Sequence, residues 1–156
     1  TFTPFDGTVG RLRVIQGVVE VRITDAVRGR KDTTVEDLVE DEIARLTGSD
    51  LGCGSSYCIA SGTHVMYMLP PATERFTAYA TLGGIKSVFY DKNGLYVSFQ
   101  MHELGHNLGL RHSKDEAESR SSSSCDKYCE YGDRTGNMGI SYLAEDIPLM
   151  CFNAAK

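Results

Sequence analysis

The 156-residue sequence lacks a long hydrophobic run, an excess of positive charge and a recognisable leader. No apolar segment approaches the roughly 20 residues that a membrane-spanning helix needs. Sixteen Lys and Arg residues stand against 21 Asp and Glu residues, for a formal net charge of −5. Because nucleic acids and anionic membranes attract basic surfaces, this balance argues against both partners. The first residue is Thr1 and no signal peptide is visible, so a processed or excised form of a longer chain is expected.

The composition is that of an ordinary globular protein. Hydrophobic residues make up 41% of the chain and charged residues 24%. Such a chain carries enough apolar surface to bury a core, which excludes wholesale disorder. The length predicts a single domain over residues 1–156.

The five cysteines lack the C-x2-C spacing that is usual in structural zinc sites. Four of them form two local pairs in Gly-, Ser- and Tyr-rich sequence, namely Cys53 with Cys58 and Cys125 with Cys129. Such pairs predict disulfides that close surface loops in an oxidising compartment, while structural zinc and reduced thiols stay open as alternatives. Cys151 is then left over, either buried or paired outside this chain. The cysteines therefore favour a secreted protein.

Hydrophobic periodicity predicts two helices and several short strands. Thr33 or Thr34 would cap the first helix and Gly48 would end it. Asp91 or Asn93 would cap the second. In chain order the sequence predicts an irregular arm over 1–10, one or two strands within 12–23, a helix to about Leu46, strands over 64–69, 76–82 and 85–90, and a helix over 95–108. This order indicates an α/β layered domain.

Three of the four histidines fall within eleven residues, in the pattern HExxHxxGxxH. On a helix, His102 and His106 are one turn apart and share a face, so both imidazoles can reach one Zn²⁺. Gly109 permits a tight backbone turn, which can bring His112 back as a third ligand. Three neutral nitrogens leave one tetrahedral position open, and that arrangement is typical of a catalytic zinc site.

Glu103 follows the first of these histidines and is not expected to bind the metal. It is expected to act as the general base, taking a proton from the zinc-activated water and passing it to the leaving amine. Three alternatives remain: a catalytically silent, zinc-stabilised binding or adhesion module, a structural zinc domain, and a helix with surface histidines. The retained Glu103 argues against the first, and the open coordination position argues against the second. Calcium is not indicated, because no cluster of acidic residues demands it.

The histidine motif, followed downstream by Met138, resembles the metzincin zinc peptidases. The segment 131–139 around that methionine differs from the methionine turns of matrixins and adamalysins. It is similar to the gametolysin family, the cell-wall-lytic metallopeptidases first known from green algae. The stretches 64–70 and 148–153 carry the same resemblance, which spans roughly residues 63–156.

The resemblance implies a metzincin-like α/β (α+β) fold, in which a twisted, mixed, five-stranded sheet packs on the active-site helix. It divides the domain into an upper part, residues 1–112, and a small lower part, residues 113–156, with the methionine turn. Met138 would form a thioether base beneath the three histidines without binding the metal. Asp133 would either anchor this turn through an Asx-type hydrogen bond, the favoured role, or hydrogen-bond a zinc-binding histidine from behind.

The resemblance also implies an endopeptidase with one catalytic zinc ion that hydrolyses extracellular, cell-wall or matrix proteins. The strand over residues 76–82 would form the edge of the cleft. An extended polypeptide would pair there through backbone hydrogen bonds with four residues, Thr77, Ala78, Tyr79 and Ala80. The expected protein is a secreted monomer without a nucleic-acid partner and without membrane insertion. Zinc chemistry alone would equally allow other amides and esters as substrates.

Overall fold

The computed structural model describes residues 6–48, 64–73, 76–114, 131–133, 136–139 and 152. The chain divides into two compact units, residues 1–63 with 71–75 and residues 64–70 with 76–156. The single catalytic domain, with its predicted boundary between residues 112 and 113, stays a prediction. All five cysteines, and with them the predicted disulfides, lie outside the described residues.

The first unit begins with a small antiparallel sheet. Its strands are β1 (Gly7–Val9), β2 (Leu12–Ile15) and β3 (Val18–Val19), in the order β1-β2-β3. The prediction of an irregular arm is therefore wrong over β1. A strand continuing to residue 23 is also wrong, because β3 ends at Val19. Val19 is 36% exposed, and Val21 and Ile23 are half-buried, so the alternating apolar residues lack the full burial that would stabilise a longer strand.

The first helix, α1, covers Asp32–Thr47. It ends as predicted at Gly48, which adopts a left-handed φ of 70° and donates its N–H to a carbonyl of the last turn. The predicted Thr caps are wrong. Lys31 occupies the N-cap position without a side-chain bond, and Asp32 places a negative charge at the positive end of the helix dipole. Thr33 and Thr34 consequently lie inside the first turn.

The second unit contains a mixed three-stranded sheet, formed by β4 (Val65–Leu69), β5 (Ala78–Ala80) and β6 (Lys86–Tyr90). The strand order is β4-β6-β5, with β6 parallel to β4 and antiparallel to β5. Val88 and Phe89 of the central strand are fully buried and form its core. Three strands are present in the part of the sheet that the structure describes, so the five-stranded sheet is not confirmed. β5 is shorter than predicted because the chain turns away at Thr81, whose carbonyl accepts the N–H of Gly84.

The second helix of the chain, α2, covers Val97–Asn107 and packs against β5 and β6. It begins two residues later than predicted, because Asp91–Leu95 form a tight 3-10 helix first. The predicted caps are wrong, since Tyr96 occupies the N-cap position without a side-chain bond. Among the residues described, neither helix is long and apolar enough to cross a membrane. The fold thus sets the histidine-bearing helix beside the shortest strand of this sheet.

Candidate metal centre

Three histidines converge at the carboxyl-terminal end of α2. The ring centroids of His102 and His106, on successive turns, lie 4.9 Å apart. The ring of His112 lies 4.6 Å from that of His106 and 5.3 Å from that of His102. One ring nitrogen from each residue lies within 4.8 Å of the other two. The three predicted ligands therefore surround one point in space.

The backbone turn after α2 brings the third histidine back to the helix. Gly109 has a φ of 89°, which side-chain-bearing residues rarely adopt. Its N–H donates to the carbonyl of His106 at 2.9 Å, and the N–H of Leu110 donates to that of Gly105 at 2.9 Å. The glycine of the motif thus has the conformation that the sequence argument required of it.

Backbone carbonyls orient two of the imidazoles. His102 Nδ1 lies 2.7 Å from the carbonyl oxygen of Asn137, and His106 Nδ1 lies 2.8 Å from that of Leu110. Because a carbonyl oxygen can only accept, Nδ1 carries the proton in each neutral ring and Nε2 keeps its lone pair. Burial lowers the pKa of His102 to about 4, and the other two histidines add to this effect. His102 is therefore neutral at physiological pH, as a metal ligand must be.

This donor set fits a zinc ion. Zinc binds imidazole nitrogens at about 2.0–2.1 Å in a tetrahedral arrangement, so its ligands lie roughly 3.4 Å from one another. The Nε2 atoms of His106 and His112 are already 3.0 Å apart. Within the described ranges the cluster comprises the three histidines alone, so a bound zinc ion would keep a fourth position for water or substrate.

Glu103 is buried next to this cluster. Its side chain is 5% exposed, and Oε2 has no hydrogen-bond partner among the residues that the structure describes. Burial raises the pKa of the carboxyl to about 7. A buried carboxylate without a protein partner is costly for stability, and such groups are common at functional sites.

Met138 lies against α2 at Gly105, between the two helical histidines in the chain. A Cβ added at Gly105 would overlap the sulfur of Met138 and lie 2.8 Å from Cε1 of Phe152. Met138 is 4% exposed. The preceding residue, Asn137, supplies the carbonyl that orients His102. The segment 136–139 thus packs against α2 beside the histidines, and its role as a methionine turn stays a prediction.

A cavity of about 820 Å³ opens at the histidines. Residues of α2, among them Glu103 and Phe99, line it together with Thr77–Ala80 of the β5 segment. This volume is within the range of pockets that hold ligands. The residues predicted for substrate pairing and the predicted general base therefore border one space.

The family model of the gametolysin peptidases (peptidase M11) matches residues 39–156. The chain belongs to the gametolysin peptidase family. The match begins within α1, so it extends further toward the amino terminus than the resemblance over 63–156 predicted. No curated protein and no solved structure matches the chain. Membership of this family indicates a metallopeptidase, and the cluster of His102, His106 and His112 fits its metal ion.

In this gametolysin-family chain, Asn107 holds the β5–β6 turn against the end of α2. Its Nδ2 donates to the carbonyls of Thr81 and Lys86, each at 3.1 Å. The N–H of Gly83 donates to the carbonyl of His106 at 2.8 Å. Sequence reasoning missed Asn107, and the only local signal was its position directly after the second histidine.

Tyr131 and Asp133 lie next to His112 and Ser113, respectively. The Tyr131 ring lies 4.0 Å from the ring of His112 and 6.2 Å from that of His102. Asp133 is buried, and its N–H donates to the carbonyl of Ser113 at 3.2 Å. The two roles considered for the Asp133 carboxylate stay predictions. Sequence reasoning included Tyr131 only as part of the resemblance and gave it no role.

The packing at Gly105 predicts an unusual response to alanine. In an open helix position, Ala is favoured over Gly by about 1 kcal/mol. Here we expect Gly105→Ala to lower the free energy of unfolding of the metal-free protein by about 1–3 kcal/mol, because the new methyl group overlaps Met138. The measurement is urea unfolding in a double-mutant cycle with Met138→Ala. The loss in free energy of unfolding caused by Gly105→Ala should be smaller in the Met138→Ala background. If Gly105→Ala alone stabilised the protein, the packing of Met138 against Gly105 would be contradicted.

The burial of Glu103 predicts a pH-dependent effect on stability in the metal-free protein. Its pKa is about 7 in the folded state, against 4.5 without burial. Below both pKa values the carboxyl is protonated in the folded and the unfolded state, and its burial does not lower the free energy of unfolding. Above both values it is charged, so folding must bury a charge. Glu103→Gln should therefore raise the free energy of unfolding by on the order of 3 kcal/mol at pH 8 and change it little at pH 4. Denaturant unfolding at both pH values, with chelator present, measures this difference. An equal change in the free energy of unfolding at both pH values would mean that the charge of Glu103 does not cause it.

Proposed function

We propose that the chain is a zinc-dependent endopeptidase of extracellular proteins, including cell-wall or matrix proteins. The observation that carries this proposal is the convergence of three imidazoles beside the buried carboxyl of Glu103, whose Oε2 has no hydrogen-bond partner in the described part of the chain, in one cavity. Membership of the gametolysin family supports peptide bonds as the substrate and action outside the cell. The silent binding module is weaker, because such a module would not need a buried carboxyl at this cost in stability.

Each side chain of the site has a separate role in this proposal. The three imidazoles of His102, His106 and His112 would hold the zinc ion. When bound, zinc supplies a Lewis acid that polarises the scissile carbonyl and lowers the pKa of water. Glu103 accepts a proton from the attacking water and delivers it to the leaving amine. In the metal-free protein burial puts its pKa at about 7, so this carboxyl can both take up and release a proton near neutral pH.

The polypeptide substrate would bind in an extended form along β5. Among the described strands, β5 pairs with β6 alone, and Thr77–Ala80 line the cavity. An extended chain added to this edge would form backbone hydrogen bonds that are independent of its side chains. The hydrogen bonds from Asn107 to the carbonyls of Thr81 and Lys86 would hold the end of β5 at a fixed distance from the histidines.

Met138 would pack beneath the site as an apolar support and would not bind the metal. Its side chain contacts α2 at Gly105, and its neighbour Asn137 holds His102 through a backbone carbonyl. A soft, flexible thioether can fill this space without competing for the metal as an imidazole or thiolate would. The packing thus couples the turn at residues 136–139 to the orientation of the first ligand.

The proposal is tested with a diverse peptide mixture and mass spectrometry. The protein is assayed as purified, after treatment with a chelator, and after zinc is added back, with bound zinc quantified each time. We expect internal peptide-bond cleavage that disappears with chelation and returns with zinc. Bound zinc without any cleavage would overturn the proposal in favour of a binding module. Cleavage that persists without zinc would show that the chemistry lies elsewhere.

A further inference from the structure

We propose that Tyr131 is a positioning residue that holds the imidazole of His112 in its metal-binding orientation. This inference rests on the proposed zinc function of the cluster. The two ring centroids lie 4.0 Å apart with their planes tilted by 39°, so one face of the imidazole is covered by the phenol ring. Aromatic rings in contact attract each other, and a ring packed against a neighbour has less room to rotate.

The need for such a restraint follows from where His112 lies in the chain. His102 and His106 project from α2. His112 lies beyond the end of the helix, after the turn at Gly109. A side chain on a loop has more rotational freedom to lose when it binds a metal than one packed on a helix. A ring already held in place loses less of that freedom, which strengthens metal binding.

Backbone contacts place Tyr131 against this histidine. Ser113, the neighbour of His112, donates its N–H to the carbonyl of Met138 at 2.8 Å and accepts the N–H of Asp133 at 3.2 Å. The bond from Asp133 fixes the segment 131–133 alongside residues 112–113, and the bond to Met138 ties Ser113 to the segment 136–139. The position of the Tyr131 ring is therefore set by the backbone and not by its own side chain alone.

Gly139 allows the close approach that completes this arrangement. A Cβ at that position would overlap the carbonyl of Asp133 and lie 3.4 Å from the carbonyl oxygen of Tyr131. The segments 131–133 and 136–139 are therefore packed backbone to backbone. The same small region orients His102 through the carbonyl of Asn137, so one packed unit supports two of the three proposed ligands.

Two substitutions separate the ring of Tyr131 from its hydroxyl group. Tyr131→Phe keeps the ring and removes the hydroxyl, whereas Tyr131→Leu removes the aromatic face. Zinc affinity is measured by competition with a chromophoric chelator. The visible absorption of the Co²⁺-substituted protein reports the geometry of the ligands. Thermal unfolding of the metal-free variants shows whether the fold is retained, and Tyr131→Met replaces the Leu variant if the latter does not fold.

We expect Tyr131→Phe to match the wild type in zinc affinity and in the Co²⁺ spectrum. Tyr131→Leu should bind zinc about 10–100-fold more weakly, as is typical when a residue behind a metal ligand is lost. Its Co²⁺ spectrum should change, while the midpoint of metal-free unfolding stays close to that of the wild type. A role in folding alone would shift the unfolding midpoint and leave the spectrum of the folded protein unchanged.

Two outcomes would overturn this assignment. Wild-type zinc affinity and an unchanged Co²⁺ spectrum in the Leu variant would show that His112 does not depend on the ring. Zinc binding in the Phe variant as weak as in the Leu variant would show that the hydroxyl group, and not the aromatic ring, holds His112. Failure of the wild type to bind zinc at all would instead overturn the proposed function.

Discussion

Replacing Glu103 with Gln is expected to lower kcat for peptide hydrolysis by about a thousand-fold while zinc stays bound. Glutamine has nearly the shape of glutamate but cannot take up the proton of the attacking water. The carboxylate lies outside the cluster of three histidines, so zinc content should remain at one ion per chain. Steady-state kinetics on a fluorogenic peptide, with bound zinc quantified by atomic emission, measures both quantities.

A matched control removes the same charge elsewhere. Glu42 lies on α1 and pairs with Arg45 on the protein surface. Glu42→Gln should leave kcat within about two-fold of the wild type, because surface pairs contribute little. Full activity in Glu103→Gln would assign the general base to another group, and a parallel loss of zinc would show that Glu103 supports the metal site and not the proton transfer.

Removing one imidazole is expected to have the second large effect. His112→Ala should weaken zinc binding by more than about 100-fold, because even residues behind a ligand commonly cost 10–100-fold. Activity should fall to the level of the chelator-treated wild type. The metal would then have two protein ligands, His102 and His106, which are too few for a stable zinc site in water. Equilibrium dialysis against buffered zinc measures the affinity.

The chain offers a natural control for this substitution. His64 is the fourth histidine, and it lies exposed just before β4, outside the cluster. His64→Ala should retain both zinc and activity. If His112→Ala still bound one zinc ion at wild-type affinity, the third ligand would have to come from another residue.

Much of the candidate site could be predicted from the sequence, because its main features are local. The spacing of His102 and His106 follows from the helical repeat. The turn at Gly109 requires a residue that tolerates positive φ, and glycine in that position is a direct signal. The end of α1 at Gly48 was predictable for the same reason.

The errors occurred where local preference competes with packing. Threonine is a good N-cap residue, yet the first helix begins before Thr33 and Thr34. The alternating residues beyond Val19 resemble a strand, but Val21 and Ile23 are only half-buried, so the alternation carries little stabilisation. Similarly, the start of α2 was set by the 3-10 helix at Asp91–Leu95, whose Gly94 allows close packing against Met68.

The sequence by itself determined the family and predicted the three histidines and Glu103 as site residues, because a one-turn spacing and a glycine turn act over a few residues. Only the tertiary structure decided what orients them. The carbonyl that holds His102 comes from Asn137, 35 residues away, and Tyr131 covers His112 from a separate segment. Contacts across such distances depend on how the whole unit packs, and no local propensity encodes them.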